Sequence, residues 1–349
     1  MLASVQKINN IEVHPFADKL EIATVMGWKC CVKKGDFKRG DAVVYFEPDS
    51  LLPMIPQFEF MRDRGIAVLE DGSEGYRVRT IKLRKVVSTG LIMPLTDFPQ
   101  LKDSKEGDYV DELIGVKKWA KVVPPTMRGI PAGVFPSQIY KTDEIQVEKL
   151  QYILSKYKGT VCYVSEKVDG TSATYSCMNG KYDVCSRNLS LKENDGDVYW
   201  KISKMYDIEN KLMSYCEKNS KNIAIQGEII GPSINGNELK LNDHRLLVFN
   251  VFDISEQKYF GFHKFLDFIY NDMRLIPVPI LEDYYQLNDD MNSLVAMSVG
   301  KSVITPTVDR EGIVIRPQVE INDYLMPSNN SSTRVSFKVI NPEYAVKEK

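Results

Sequence analysis

Glu166-Lys167-Val168-Asp169-Gly170-Thr171 decides how the rest of the chain is read, because it plants a single lysine at a strand-to-turn transition. Ahead of it, Val161-Cys162-Tyr163-Val164-Ser165 is rich in strand formers. Behind it, Asp169-Gly170 supplies a turn and Ser172-Ala173-Thr174-Tyr175 resumes an extended pattern. Lys167 is thereby expected to end a buried strand, where its amine is dry and held in place. Lys-x-Asp-Gly alone is also what a solvated lysine at a hairpin looks like. By average residue usage it turns up in about one chain of this length in ten. The weight comes from the segments that follow it.

Tyr182 to Asn188 reads as a strand ending in the polar pair Arg187-Asn188, and Val198 to about Lys218 has helical periodicity. Ile223 to Gly231 is an apolar strand with Glu228 inside it, and Leu246 to Ile254 is another carrying Asp253. Phe262 to Arg274 is expected to be helical. Glu311 opens the strand Gly312-Ile313-Val314-Ile315-Arg316, and Lys338 lies inside Ser336 to Ile340. A charge among apolar strand neighbours is expensive unless it is paired or bound to a ligand. Any one of these could be a structural ion pair, and Asp253 fits that role as well as a ligand role. Together, two lysines and several carboxylates on separate strands suggest a concave sheet suited to phosphate and Mg²⁺. Metal-assisted phosphoryl or nucleotidyl transfer is the chemistry such a set supports.

Upstream, residues 1 to about 115 read as short strands separated by Gly, Pro and Asp turns, the pattern of a small OB-like β-barrel. Arg77-Val78-Arg79-Thr80-Ile81-Lys82-Leu83-Arg84 alternates basic and mostly apolar residues, so one face would present Arg77, Arg79, Arg84 and, in part, Lys82 to a phosphate backbone. An ordinary solvated sheet face gives the same pattern. Lys121 to Pro136 lacks periodicity and reads as a linker, and Thr142-Asp143-Glu144 reads as the cap of a helix running through Val147, Leu150, Ile153 and Leu154. The expected organisation is residues 1–120 as the barrel, 121–135 as linker and 136–349 as the transferase domain. The fold class is α+β, with antiparallel sheets and flanking helices in the second part.

With 349 residues, 43% hydrophobic and 26% charged, the chain has mass for two domains, and a net charge of −2 gives no overall basic field. The first residues are too polar for a secretory signal and no apolar run reaches membrane-spanning length, so no membrane role and a cytoplasmic location are expected. The six cysteines show no C-x-x-C spacing, and His14, His244 and His263 are scattered, which argues against zinc and for reduced thiols.

The ordered segments Lys167-Val168-Asp169-Gly170, Ser186-Arg187-Asn188, Gly227-Glu228, Phe249 to Ile254, Glu311 to Arg316 and Phe337-Lys338 resemble motifs I, Ia, III, IIIa, IV and V of the covalent nucleotidyltransferases. That superfamily comprises polynucleotide ligases and mRNA capping enzymes. His14 to Glu21 and Val44 to Ser50 look like the OB module that precedes this domain in one ATP-dependent RNA ligase family. DNA ligases and capping enzymes carry an OB domain after motif V instead. With so little chain after Lys338 such a domain is not expected here, which favours RNA ligase.

The resemblance implies that Lys167 attacks the ATP α-phosphate to form lysyl-AMP, that AMP passes to an RNA 5′-phosphate, and that a 3′-hydroxyl displaces it. It implies ATP contacts from Glu166, Lys167, Arg187, Asn188, Glu228, Phe252 (stacked on adenine) and Lys338, and a Mg²⁺ or Mn²⁺ held by Asp169, Glu228 and Glu311. Many relatives have a second motif V lysine where this chain has Ile340, and Lys141 or Arg334 could replace it. The expected partner is RNA with 3′-hydroxyl and 5′-phosphate ends, at a duplex nick or in a broken structured RNA, sealed by a monomer. A GTP-using capping-type enzyme, a DNA ligase and a non-catalytic nucleic-acid-binding protein on the same fold remain as alternatives.

Overall fold

In the computed structural model, residues 2–120, 129–327 and 333–347 are described. The chain divides into two compact units, residues 1–122 with 345–349, and residues 123–344.

The first unit is built of short strands, as its turn-rich sequence dictates. β1 (Ala3–Val13), β2 (Leu20–Val25), β3 (Trp28–Lys33) and β4 (Ala42–Phe46) are followed by β5 (Ser50–Leu52), β6 (Ala67–Val68) and β7 (Glu74–Arg77). β8 (Ile81–Leu83), β9 (Val86–Ser88) and β10 (Leu91–Pro94) come next, then the one-turn helix α1 (Asp111–Ile114) and β11 (Lys117–Lys118). One sheet runs β10-β4-β1-β2-β3, the other β11-β5-β7-β6, an OB-type arrangement. Alternation along β4 sends Val44 and Phe46 into one cluster and Val43 and Tyr45 into another, so this strand is buried on both faces.

The basic segment expected as one strand is two. β7 ends at Arg77, and β8 restarts at Ile81 as half of a two-residue hairpin whose Leu83↔Val86 pair leaves Arg84-Lys85 at the tip. Both tip residues have positive φ, 44° and 73°. Asn-Gly is the relaxed choice there, and bulky side chains in that region cost about 1 kcal/mol each.

Arg77 does not face outward either. It is buried, bonds Asp49 at 2.7 and 2.9 Å, and its guanidinium stacks 3.3 Å over Trp119. Burial of its apolar stem and a half-exposed carboxylate partner explain why alternation misplaced it. Arg79, Lys82 and Arg84 are exposed. Arg77→Ala is therefore expected to cost about 2 kcal/mol of stability, read as a lower denaturation midpoint, with RNA salt dependence unchanged.

In the second unit, Ile130–Val134 forms β12, so most of the second half of the expected linker is an edge strand; residues 121–128 of that linker lie outside the described residues. β13 (Ile145–Gln146) and α2 (Gln151–Lys156) precede β14 (Val161–Lys167), β15 (Thr171–Met178), β16 (Lys181–Cys185) and β17 (Leu189–Lys192). α3 (Val198–Met205) and α4 (Ile208–Asn219) replace the single expected helix, broken by Asp207 at φ 52°. Asp197 caps α3 by accepting the Trp200 N–H at 2.9 Å. β18 (Ile223–Ile230), β19 (Arg245–Asp253) and β20 (Lys258–Tyr259) follow. α5 (Phe262–Asp267) then runs into a π-helical turn, Phe268–Met273.

The remaining elements are β21 (Ile280–Gln286), α6 (Met291–Ser298), β22 (Gly312–Pro317), β23 (Phe337–Ile340) and α7 (Pro342–Ala345). The larger sheet runs β12-β17-β16-β15-β18-β19-β20 and the smaller β13-β23-β22-β14-β21. One face of the larger sheet packs on α3, α4 and α5 through Ile223, Ile225, Ile202, Ile208 and Leu212, fully buried side chains worth about 1.5–3 kcal/mol each.

The expected helix cap at Thr142 to Glu144 is not one. Glu144 is held by Arg316 at 2.7 Å and by the Ser336 hydroxyl at 2.6 Å, and α2 starts only at Gln151. Arg316 also donates to the Phe249 carbonyl at 3.2 Å, and Arg334 to Asn250 at 2.7 Å, so buried cations tie the two sheets together. Among the described residues no helix is long and apolar enough to cross a membrane.

Candidate active site

Lys167 is the last residue of β14, paired with Gly312 of β22. β15 then leaves the Asp169-Gly170 turn and runs beside β18, with Ser172 opposite Glu228. Side chains at alternate positions of β18 share a face, so Ile223 and Ile225 enter the helical core while Glu228 faces the other way, toward Lys167.

Two glycines permit this closeness. A Cβ on Gly170 would lie 2.4 Å from the Ile229 carbonyl, and one on Gly312 would lie 2.2 Å from that of Val339. Gly312 is thus a packing requirement inside a strand, beside the carboxylate of Glu311.

Lys167 Nζ meets Glu311 Oε1 at 2.7 Å. Burial acts to lower the lysine pKa, but Glu311, Glu228 and Asp169 outweigh it and hold the ammonium above its ordinary value. Burial raises Glu311 against the pull of Lys167. Glu228 is pushed up to about 8 by burial, which the Lys167 charge only partly offsets. Without nucleotide, the site therefore stores a proton on the lysine and much of another on Glu228 at neutral pH.

That proton has a stability consequence. Glu228 has a folded value of about 8 against an ordinary 4.5, so the folded state binds more protons across that interval. The stability it contributes is complete below pH 4.5 and is lost as pH rises through about 8. Glu228→Gln is expected to melt above the native protein at pH 9, by an amount on the order of a few kcal/mol, and alongside it at pH 5. Equal melting offsets at the two pH values would contradict the placement of this carboxylate.

Glu311 Oε2 is buried and lacks a hydrogen-bond partner among the described residues, an acceptor left over for a cation or its bound water. Asp169 is more committed. Its oxygens accept from Asn235 at 2.8 Å and from the Tyr344 hydroxyl at 2.7 Å, and Asn235 also donates to the Gly170 carbonyl at 2.6 Å. Among the described residues no group of three His, Cys, Asp or Glu side chains forms a cage for an ion. Such a site suits Mg²⁺ or Mn²⁺, a small cation that keeps waters and shares oxygens with a substrate phosphate.

Lys338, on β23, and Arg187 complete the positive side of the site, the first acting electrostatically on Glu311 and the second on Glu228. Arg187 pairs with Asp143, while Asn188 accepts from Lys141 at 2.9 Å. Lys141 is thus beside the expected phosphate contacts. Arg334 is not available for them. It is buried, paired with Glu320 and stacked 4.1 Å over Tyr259.

Two other expectations meet a different structure. Glu166 points to the opposite face of β14 from Lys167, where its carboxylate accepts the Val303 N–H at 2.8 Å. Phe252 is fully buried against Tyr140 and Tyr259, with no ring face for a base. Phe249, three residues earlier, sits where β19 gains an extra residue opposite Gln226-Gly227 and is half-buried beside Val168, Ile230 and Leu247. Asp253 is a structural ion-pair residue, bonded to Lys221 at 3.0 Å and to the Glu256 N–H. Asn235 and Tyr344 were not legible in sequence. Both lie in loop or terminal segments whose relevance comes only from the fold.

A lysine kept charged by carboxylates becomes a nucleophile once those charges are drawn elsewhere, and on two sheets, antiparallel but for the β13–β23 pair and flanked by helices, this defines a covalent nucleotidyltransferase. The chain belongs to the RNA ligase family. The profile of that family matches residues 160–340, and that of an OB-fold domain matches residues 2–95. The fold is similar to that of Naegleria gruberi RNA ligase. A mutant of that protein with ATP and Mn superposes with TM-score 0.88 at 32% identity, covering 99% of both chains. Its structure with pyrophosphate gives 0.87 at 32%, covering 98% of this chain and 97% of that one. Another mutant, with AMP and Mn, gives 0.87 at 31%, covering 99% and 98%. No curated protein is matched by sequence.

Proposed function

We propose that the protein is an ATP-dependent RNA ligase that joins a 3′-hydroxyl to a 5′-phosphate through a lysyl-AMP intermediate on Lys167. The observation that carries this is the Lys167–Glu311 pair at 2.7 Å facing Glu228, within a chain matched over its length by a ligase solved with ATP and Mn. Lys167 Nζ attacks the α-phosphorus, the bond to the bridging oxygen of pyrophosphate breaks, and the ammonium proton leaves through Glu311. Lys338, Arg187 and Lys141 hold phosphate oxygens, Glu228 and Asn188 the ribose, and Phe249 rather than Phe252 supplies the ring beside adenine. Asp169, clamped by Asn235 and Tyr344, fixes the turn behind the nucleophile.

A free lysine is neutral in roughly one molecule in 2,500 at pH 7, so activation must supply about 4–5 kcal/mol and, in addition, offset the carboxylates that raise Lys167 further. A divalent cation bound near Glu311 and the triphosphate supplies positive charge of that size, since a unit charge 4 Å away at an effective dielectric near 20 is worth about 4 kcal/mol. The AMP then passes to the 5′-phosphate of RNA at a nick or in a broken structured strand, and the 3′-hydroxyl displaces it.

The test is a sealing assay with ATP or GTP and with nicks bearing a 3′-ribonucleotide or a 3′-deoxynucleotide. ATP-dependent closure of the ribonucleotide nick is expected. Label transfer from GTP, or equal closure of the all-DNA nick, would overturn the reading.

A further inference from the structure

Phe16 breaks the usual rule for a large aromatic side chain: it is 57% exposed, on the turn between β1 and β2. It is also held in place. His14, only 3% exposed, accepts the Phe16 N–H on Nδ1 at 3.1 Å and donates from Nε2 to the Leu83 carbonyl at 3.2 Å. That histidine pins the Phe16 turn to the β8–β9 hairpin. The hairpin is itself anchored, with Ser88 Oγ accepting the Cys31 N–H at 2.9 Å. Its tip is Arg84-Lys85, both in left-handed backbone conformation, and Lys85 Nζ lies 5.4 Å from the Phe16 ring centre. Lys82, on the strand feeding the tip, is exposed too.

An exposed ring with a lysine 5.4 Å from its centre, beside an exposed basic turn on a module of the OB type, has the two elements that single-stranded nucleic acid needs: a π-face for a base and positive charge for its phosphates. The tip makes the same point from another direction. The chain sets two long cations where Asn-Gly would lie relaxed, which a merely structural turn does not require.

We infer that Phe16 and the Arg84-Lys85 turn form a stacking platform that takes one unpaired base of the RNA substrate and its flanking phosphates. This rests on the RNA ligase reading and assigns part of its substrate contact to residues outside the nucleotidyl-transfer site.

Two variants of the full chain separate the platform from a structural role. Phe16→Ala removes the π-face, whereas Phe16→Trp keeps it. Arg84→Asn with Lys85→Gly removes the charges and gives the turn its preferred residues, so this protein should melt at or above the native temperature. Binding of a labelled single-stranded RNA with a 5′-phosphate is measured against salt, and AMP adduct formation without RNA serves as the control for an intact catalytic domain. Phe16→Ala should bind about tenfold or more weakly with an unchanged log–log salt slope, and Phe16→Trp should bind as the native protein does. The turn variant should lower the slope by roughly one unit, at about 0.7 per contact.

Native affinity for Phe16→Ala, with normal adduct formation, would overturn the platform and leave the ligase reading standing. Loss of adduct and affinity together in Phe16→Ala would also overturn it, by making the residue structural. A native protein that forms no adduct would reject the ligase reading itself. An unchanged slope in the turn variant would remove Arg84 and Lys85 from the RNA contact and overturn the platform as inferred.

Discussion

A Lys167→Met protein is expected to form no covalent AMP adduct from labelled ATP, while retaining most of its ATP binding. Methionine keeps the length and packing of the lysine stem but has no nucleophilic nitrogen. The other groups proposed to hold ATP, Arg187, Lys141, Lys338 and Glu228, remain in place. The change also strips Glu311 of its 2.7 Å partner, so that carboxylate, already raised by burial, should rise further. Denaturing gel electrophoresis reads the adduct and equilibrium dialysis the binding. Label retained by the mutant protein would remove Lys167 as nucleophile, whereas loss of both label and binding would show that the substitution had damaged the pocket.

Glu311→Ala is the second large effect. Its Oε1 holds the lysine and its Oε2 is a buried acceptor without a partner among the described residues, so the alanine variant loses a proton-accepting neighbour and an oxygen suited to a cation or its water. A fall of at least about 10²-fold in single-turnover adenylylation is expected, the size seen when one fixed electrostatic contact is deleted. Glu311→Gln keeps an acceptor oxygen without the charge and should lose less. The Asn341 N–H donates to the Glu311 main-chain carbonyl at 2.9 Å, a contact the substitution leaves intact, so the loss should be in rate rather than in folding. Native rates for the alanine variant across a Mg²⁺ titration would take Glu311 out of the site.

The residues that sequence located best are those whose burial follows strand alternation. Glu228 stood out as the one carboxylate in an otherwise apolar run, and the fold turns it toward Lys167. Lys338 and Glu311 stood out likewise, one inside a strand and the other at its start. Elsewhere a local pattern is overruled by a partner distant in sequence. Glu144 looked like a helix cap until Arg316, 172 residues away, claimed it. Arg77 fitted an outward-facing alternation, but Asp49 and Trp119 draw it inward. Phe252 and Phe249 cannot be ranked from sequence because an extra residue in β19 changes which ring is left half-covered. Asn235 and Tyr344 reach Asp169 from 66 and 175 positions away, and no short-range rule points to them.

The central claim is that Lys167 becomes covalently bonded to AMP. It is tested most directly by incubating the native protein with ATP and Mg²⁺ in the absence of RNA, digesting it and mapping the modified residue by mass spectrometry. One AMP is expected on the peptide containing Lys167, joined by a P–N bond that is stable to alkali and labile to acid. AMP on another lysine such as Lys338 or Lys141, or no adduct under conditions where RNA is sealed, would contradict it.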